Sequence, residues 1–222
     1  MVNATEQAEV RARTPGLPLP TDVQALAWSG QPLAEAACVL IASRQNVSPK
    51  RLVEPGPSQA QLDRLFVAAA AAPDHGQLLP WRFVIVPQDK RGLLAEAFAL
   101  ALIDRDPGAT LVQIEAAREK AHRSPLLMLA VARLVSQLEP EIPNVERMVS
   151  LGCAVQNLLL ASHAMGFGAG LTSGQAMASP SIRELFDLSA DETAVCFVNV
   201  GTISKRKPAR IRPAAEQFVS TL

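Results

Sequence analysis

The chain has 222 residues, 49% of them hydrophobic but only 4% aromatic, and its 21 basic side chains are balanced by 21 acidic ones. That length suits one domain of ordinary size, which buries about 70–75% of its unfolded surface and needs no disulfide or metal staple to fold. The even charge leaves no basic excess to neutralise a phosphate backbone, which argues against a nucleic-acid partner. No apolar run approaches the roughly 20 residues that cross a bilayer, which argues against a membrane span.

With seven Phe, two Trp and no Tyr, the core must be built mainly from Ala, Leu and Val. Residues 1–31 read as a polar, Pro-punctuated extension, either an arm that wraps a partner subunit or a poorly ordered tail. They lack the apolar core of a signal peptide and carry Glu6 and Glu9, so they do not read as a leader. The domain proper is expected over 32–222, with an extended C-terminal tail. Pro32 suits a first helical position and opens a helix over 32–43. Prolines 49, 55 and 57 forbid a helix in the loop that follows. Ser58 and Gln61 have capping-box spacing, and Leu62, Leu65, Phe66 and Ala69 continue it at helical period up to Pro73.

The loop PDHGQLLP leads to a strand, WRFVIV. An apolar helix is expected over about 89–104, with Glu96 on its surface, and a charged amphipathic helix over about 110–122. LLMLAVARLV reads as a strand covered on both faces, because its apolar run is nearly unbroken. The longest helix, about 144–165, is apolar on almost every side and reads as a buried central helix ending at Gly166. A short strand at most follows in GAGLTSG. Ser179 then caps a helix starting at Pro180, and AVCFVNVG is the last core strand. Short apolar strands separated by helices argue for a mixed sheet with helices on its faces.

Several chemistries find no support. The glycines of GFGAGLTSG follow a helix and precede a strand, the reverse of a dinucleotide-binding turn. What remains for them is a chain reversal and a close approach of backbone, a Gly-rich helix end. His75, His122 and His163 have no second ligand at metal spacing. Cys38, Cys153 and Cys196 are far apart and set among apolar residues. They read as three buried, reduced thiols, which favours a cytoplasmic location. What is left is a distributed set: SRQN at 43–46, APDHGQLLPWRF at 72–83, GFGAGLTSG at 166–174 and SKRKPAR at 204–210. Together these offer what a flavin nucleotide requires: cations for a phosphate, a flat apolar wall, and an open face for a hydride donor.

APDHGQLLPWRF, followed at the right separation by GCAVQNLLLASHAMGFG, a polar TSG turn and VNVGT, resembles the FMN-dependent nitroreductase family, in particular its short-chain subfamily. The resemblance spans about residues 33–212. It implies an α+β fold with a mixed, mostly antiparallel sheet flanked by helices. It also implies a homodimer with FMN between the subunits, and transfer of hydride from NADH or NADPH through FMN to a small organic acceptor. Arg44, Gln45 and Asn46 match the loop that grips phosphate, ribityl chain and ring edge, where the family usually carries Arg-Arg-Ser. Gln45 therefore supplies no second charge, and Ser48 is a rival for the polar contact. His75 matches a residue that reaches the partner's FMN. Pro80 and Trp81 match the segment that fixes the loop beside the flavin, with Trp81 either touching the ring or anchoring the strand.

Leu171, Thr172 and Ser173 match the turn against the flavin, where some relatives carry Trp-Arg. Residues about 161–166 match a stretch linked to nicotinamide binding. Lys205 and Arg206 match the late basic position that holds the phosphate, and Arg206 is favoured by its spacing from Gly201-Thr202. Relatives that fragment flavin or dehalogenate aromatics, and a non-catalytic flavin-binding module, are the alternative readings.

Overall fold

The computed structural model describes residues 31–134, 142–208 and 211–222. Its elements are helix α1 (Gln31–Ser43), strand β1 (Leu52–Val53), α2 (Gln59–Ala70), β2 (Trp81–Ile85), α3 (Arg91–Arg105), α4 (Leu111–Arg118), β3 (Leu126–Arg133), α5 (Asn144–Ala164), β4 (Gly168–Thr172), α6 (Pro180–Leu185) and β5 (Glu192–Ile203). The expectations for residues 1–30 and for Ala209 and Arg210 of the basic run lie outside the described residues.

The strands form one sheet in the order β1-β5-β3-β2, with β4 also paired to β5. Every strand pair is antiparallel, and the parallel character expected of a mixed sheet is confined, among the described residues, to an isolated bridge between Asn46 and Ala169. Side chains alternate across a strand, so each side of the sheet has its own core. Met128, Ala130, Val198 and Val200 face α2 and α5. Leu127, Leu129, Val131 and Phe197 face α3 and α6. Ala130 pairs with Cys196 but Val131 with Ala194, which leaves Val195 as an extra residue. That bulge is why Ala194 and Cys196, two positions apart, belong to opposite cores.

Local chemistry sets the helix ends. The Ser58 hydroxyl accepts from Gln61 N while Gln61 Oε1 accepts from Ser58 N, the predicted capping box. A second box joins Thr110 and Gln113. It starts α4, which becomes a tighter 3-10 turn over Glu119–His122 rather than running on as one helix. α5 ends in a Schellman motif: Gly166 (φ 86°) donates to His163 O and Phe167 N donates to Ser162 O. Two buried charges brace the frame. The Arg91 guanidinium donates to the carbonyls of Val86, Ala121 and Pro125. Glu192 accepts two bonds from Arg82, at 2.7 and 2.8 Å, and these hold its carboxyl below the usual range despite the opposing effect of burial.

Two expectations of burial change. α5 buries Leu151, Ala154, Leu158 and Ser162 against the sheet, but Val145 and Val149 on its other side are 67% and 61% exposed. α1 is exposed along almost its whole length, and Cys38 with it, although most of its residues are apolar. The predicted buried thiol is thus realised at Cys196, is partial at Cys153 and fails at Cys38. A helix apolar on every side gains nothing by forming in water alone, so the exposed faces of α1 and α5 are surfaces in want of a cover.

Candidate functional site

The site is built on the free edge of β4. The loop after α1 docks there: Val47 N donates to Ala169 O at 2.9 Å, and Leu171 N donates to Asn46 Oδ1 at 3.0 Å. These two bonds fix the register of the 44–48 loop. The glycines of β4 make the approach possible. A Cβ on Gly170 would collide with the carbonyl oxygen of Val47, and one on Gly168 would lie 2.6 Å from Ile203 and 2.8 Å from Leu52. The close approach of backbone read from the glycine pattern is therefore made by the chain's own loop.

The docked loop brings Arg44 and Gln45 against the segment after β5. Between them lies a cavity of about 90 Å³, lined by Arg44, Arg51, Lys205, Arg206 and Lys207 on one side and His163 from α5 on the other. No carboxylate lines it. Arg44 Nε is buried there without a hydrogen-bond partner. Burial, and then the charge of Arg212, hold the Arg44 guanidinium below its ordinary pKa. Arg212 is also tied to the same residue, donating to Arg44 O at 2.6 Å. His163 Nε2 shares a 2.8 Å hydrogen bond with Ser43 Oγ. Its imidazole is pushed down from the ordinary value by burial and by the charges of Arg206 and Arg44. Five cations, a buried unsatisfied donor and the His163 imidazole make a pocket whose chemistry suits an anion.

Of the residues proposed from sequence, Arg44, Gln45, Asn46, Lys205 and Arg206 all line this cavity, as does the rival Ser48. Leu171 is joined to it through Asn46. Thr172 and Ser173 instead line a second, larger cavity of about 460 Å³ that shares no residue with the first. Trp81 is 6% exposed and packs in the core beside α2 and α5, so the geometry matches the strand-anchor reading.

His75 lies elsewhere. Its Nδ1 is 2.7 Å from Glu146 Oε2, at the start of α5. His163 is near the far end of that helix, about 25 Å along its axis from Glu146 at 1.5 Å per residue. The loop bearing His75 is tightly wound, with positive φ at Gly76 (71°), Gln77 (53°) and Leu79 (49°). It is held by Asp74 Oδ2, which accepts from Leu79 N at 2.7 Å.

Sequence reading passed over Arg51 and Lys207 as ligands. Lys207 lies inside the basic run SKRKPAR, and Arg51 lies five positions beyond SRQN. Sequence reading also passed over Asn199, the one amide in β5, flanked by Val198 and Val200. Asn199 is buried, accepts from Ser124 Oγ and donates to Gly170 O and to Thr172 Oγ1, which holds the end of β4 in place. A polar side chain at an inward position of a core strand was the available signal.

The sequence profile of the nitroreductase family matches residues 41–202. The chain belongs to the nitroreductase family. That makes it an oxidoreductase. The matched span runs from the end of α1 to the end of β5 and so takes in most of the β4-edge site. A Haemophilus influenzae protein named "Putative NAD(P)H nitroreductase" is 32% identical over 166 residues, 75% of this chain and 88% of that protein. Among solved structures, a nitroreductase-like family protein from Bacillus cereus superposes with a TM-score of 0.71 at 17% identity, covering 83% of this chain and 95% of that one. The FMN-dependent nitroreductase NfnB from Mycobacterium smegmatis, solved in complex with NADPH, gives 0.64 at 16% identity, covering 86% and 99%. At such identities the structural likeness shows the fold, an α+β nitroreductase-like sheet and its helices. Among the described residues no helix is long and apolar enough to cross a membrane.

Proposed function

We propose that the basic cavity at the β4 edge holds the phosphate of FMN. The single observation behind this reading is Arg44 Nε, a buried donor without an acceptor in a hollow lined by cations and by no carboxylate. An FMN phosphate carries close to two negative charges at neutral pH. It would offer Arg44 and Arg206 the charge-assisted bonds they lack. Gln45 would then meet the flavin as a neutral hydrogen-bonding group, and Leu171, 38% exposed on the adjoining strand, as an apolar wall. Bound there, FMN would supply hydride transfer from NADH or NADPH to a small organic acceptor such as a nitro compound or a quinone.

At about 90 Å³ the cavity is far smaller than the roughly 300–1,000 Å³ of a site that encloses a whole small ligand. The remaining flavin would lie over the open edge of β4 and need a second chain to cover it. We therefore propose a homodimer formed through the exposed apolar faces of α1 and α5. His75, out of reach of its own cavity, would approach the flavin held by the second copy. The three free cysteines accord with a cytoplasmic enzyme. We retain 32–222 as the flavin-binding domain and 1–31 as its extension.

Quenching of flavin fluorescence during titration of the protein with FMN tests the assignment. Wild type should bind one FMN per chain. Arg44→Gln and Arg206→Ala should each bind roughly ten- to a hundredfold more weakly, the worth of one hydrogen bond to a charged group. Unchanged affinity in both variants would contradict the site.

A further inference from the structure

The larger cavity has a different construction and a different chemistry. It is enclosed by α3, α4 and the turn that follows β4, on the side of the sheet away from α5. Its floor is aromatic and aliphatic: Phe98 and Phe197 meet edge to face, with ring centroids 5.5 Å apart, and Leu127 lies buried beside them. Its rim carries Arg105 at the end of α3 and Lys120 and Arg123 from the turn after α4, with no acidic residue in the lining. Of these three, Arg123 has a carboxylate partner, a long 3.8 Å contact to Glu119. Its volume of about 460 Å³ falls within the roughly 300–1,000 Å³ typical of small-molecule sites.

An apolar floor with cations in its lining and no carboxylate selects an amphiphile of one kind. We propose that this cavity is a binding site for a small organic anion, a carboxylate or sulfonate carried on a flat apolar body. The body would stack against the Phe98–Phe197 pair and displace water from apolar surface. The acid group would stay at the rim, beside Arg105 or beside Lys120, where it keeps part of its hydration. A neutral molecule of the same shape would gain the first term and forgo the second. A compact inorganic anion would gain only the second, which is small at exposed cations. The opposite wall of the cavity is the turn Thr172–Gly174, whose strand also borders the basic cavity. Nothing in the proposal depends on what fills that other cavity.

Isothermal titration of the full-length chain with 2-naphthoate, and with 2-naphthalenemethanol as its neutral counterpart, tests this directly. The expected result is one naphthoate per chain, with the alcohol bound about tenfold more weakly. Binding should be the same in FMN-free and FMN-saturated protein. Ala116→Trp, at an exposed position in the cavity lining on α4, should abolish it. The double change Arg105→Gln, Lys120→Gln should weaken naphthoate to the level of the alcohol while leaving FMN affinity unchanged. Absence of saturable binding, equal affinity for the alcohol, retention in Ala116→Trp, or competition by FMN would each overturn the proposal.

Discussion

Arg44 and His163 line the same cavity, and burial lowers the pKa of both. Arg44 Nε is buried without a hydrogen-bond partner beside a hollow lined by four other cations and no carboxylate. Burial, and then the charges of Arg206 and Arg44, hold the His163 imidazole below the ordinary value. The sign of the consequence follows from linkage. In the unfolded chain His163 takes up a proton near pH 6.5, whereas in the fold it does so only at lower pH. Its contribution to stability is thus full above about pH 6.5 and is lost as pH falls through the folded value. In flavin-free protein the unfolding midpoint in urea should drop on going from pH 7.5 to 5.5, and His163→Asn should reduce that drop. A dianion beside Arg44 and Arg206 removes the repulsion, so the His163 resonance followed by NMR should titrate at higher pH once FMN is added. Cys196 marks the opposite case. Burial pushes its thiol up to about 11. It should not react with a thiol reagent at pH 8 in the native protein, where exposed Cys38 is open to attack in a lone chain.

β4 is the element on which the site depends, and its glycines can be tested one at a time. Gly170→Ala sets a methyl against the Val47 carbonyl. The 44–48 loop should lift from the edge, and FMN affinity should fall with little change in the melting of the core. The exposed faces of α5 and α1 are where the proposed dimer would close. Val149→Asp lies on the exposed face of α5, where a lone chain would tolerate it within about 0.5 kcal/mol. In a dimer closed over that face it should produce monomers by light scattering, lose FMN affinity and leave Cys38 open to thiol reagents. A wild-type protein that binds FMN tightly as a monomer would remove the shared site. Much of this element plan was legible in the sequence. Ser58 and Gln61 announced the start of α2, Gly166 announced the end of α5, and the unbroken apolar run of β3 announced a strand covered on both faces. Period and capping are local properties, and a single chain displays them. The surroundings of α1 and the outer face of α5 were not legible, because an apolar pattern does not say whether its cover comes from the same chain.

At the scale of the whole molecule the core follows from the same alternation. Leu158, fully buried where α5 crosses the sheet, is a fair gauge of it. Leu158→Ala should cost about 2–5 kcal/mol in chemical denaturation without altering the FMN contacts themselves. The convergence of Arg44 with Lys205 and Arg206, some 160 positions apart, was reached from sequence only through resemblance to a family. The geometry gives it a physical reason, since two hydrogen bonds from the edge of β4 bring the early loop to the late one. The separation of Thr172 and Ser173 from that group could not be read from spacing. It depends on which way a short edge strand faces.

FMN reduced by a nicotinamide is the proposed electron carrier of this oxidoreductase. The most direct measurement is the visible absorption of the FMN-titrated protein, recorded without oxygen before and after NADH or NADPH. One equivalent of bound flavin per chain is expected, bleached by one of the two donors and restored when a quinone is added. A protein that gains no flavin absorbance, or whose bound flavin neither donor bleaches, would contradict the proposal.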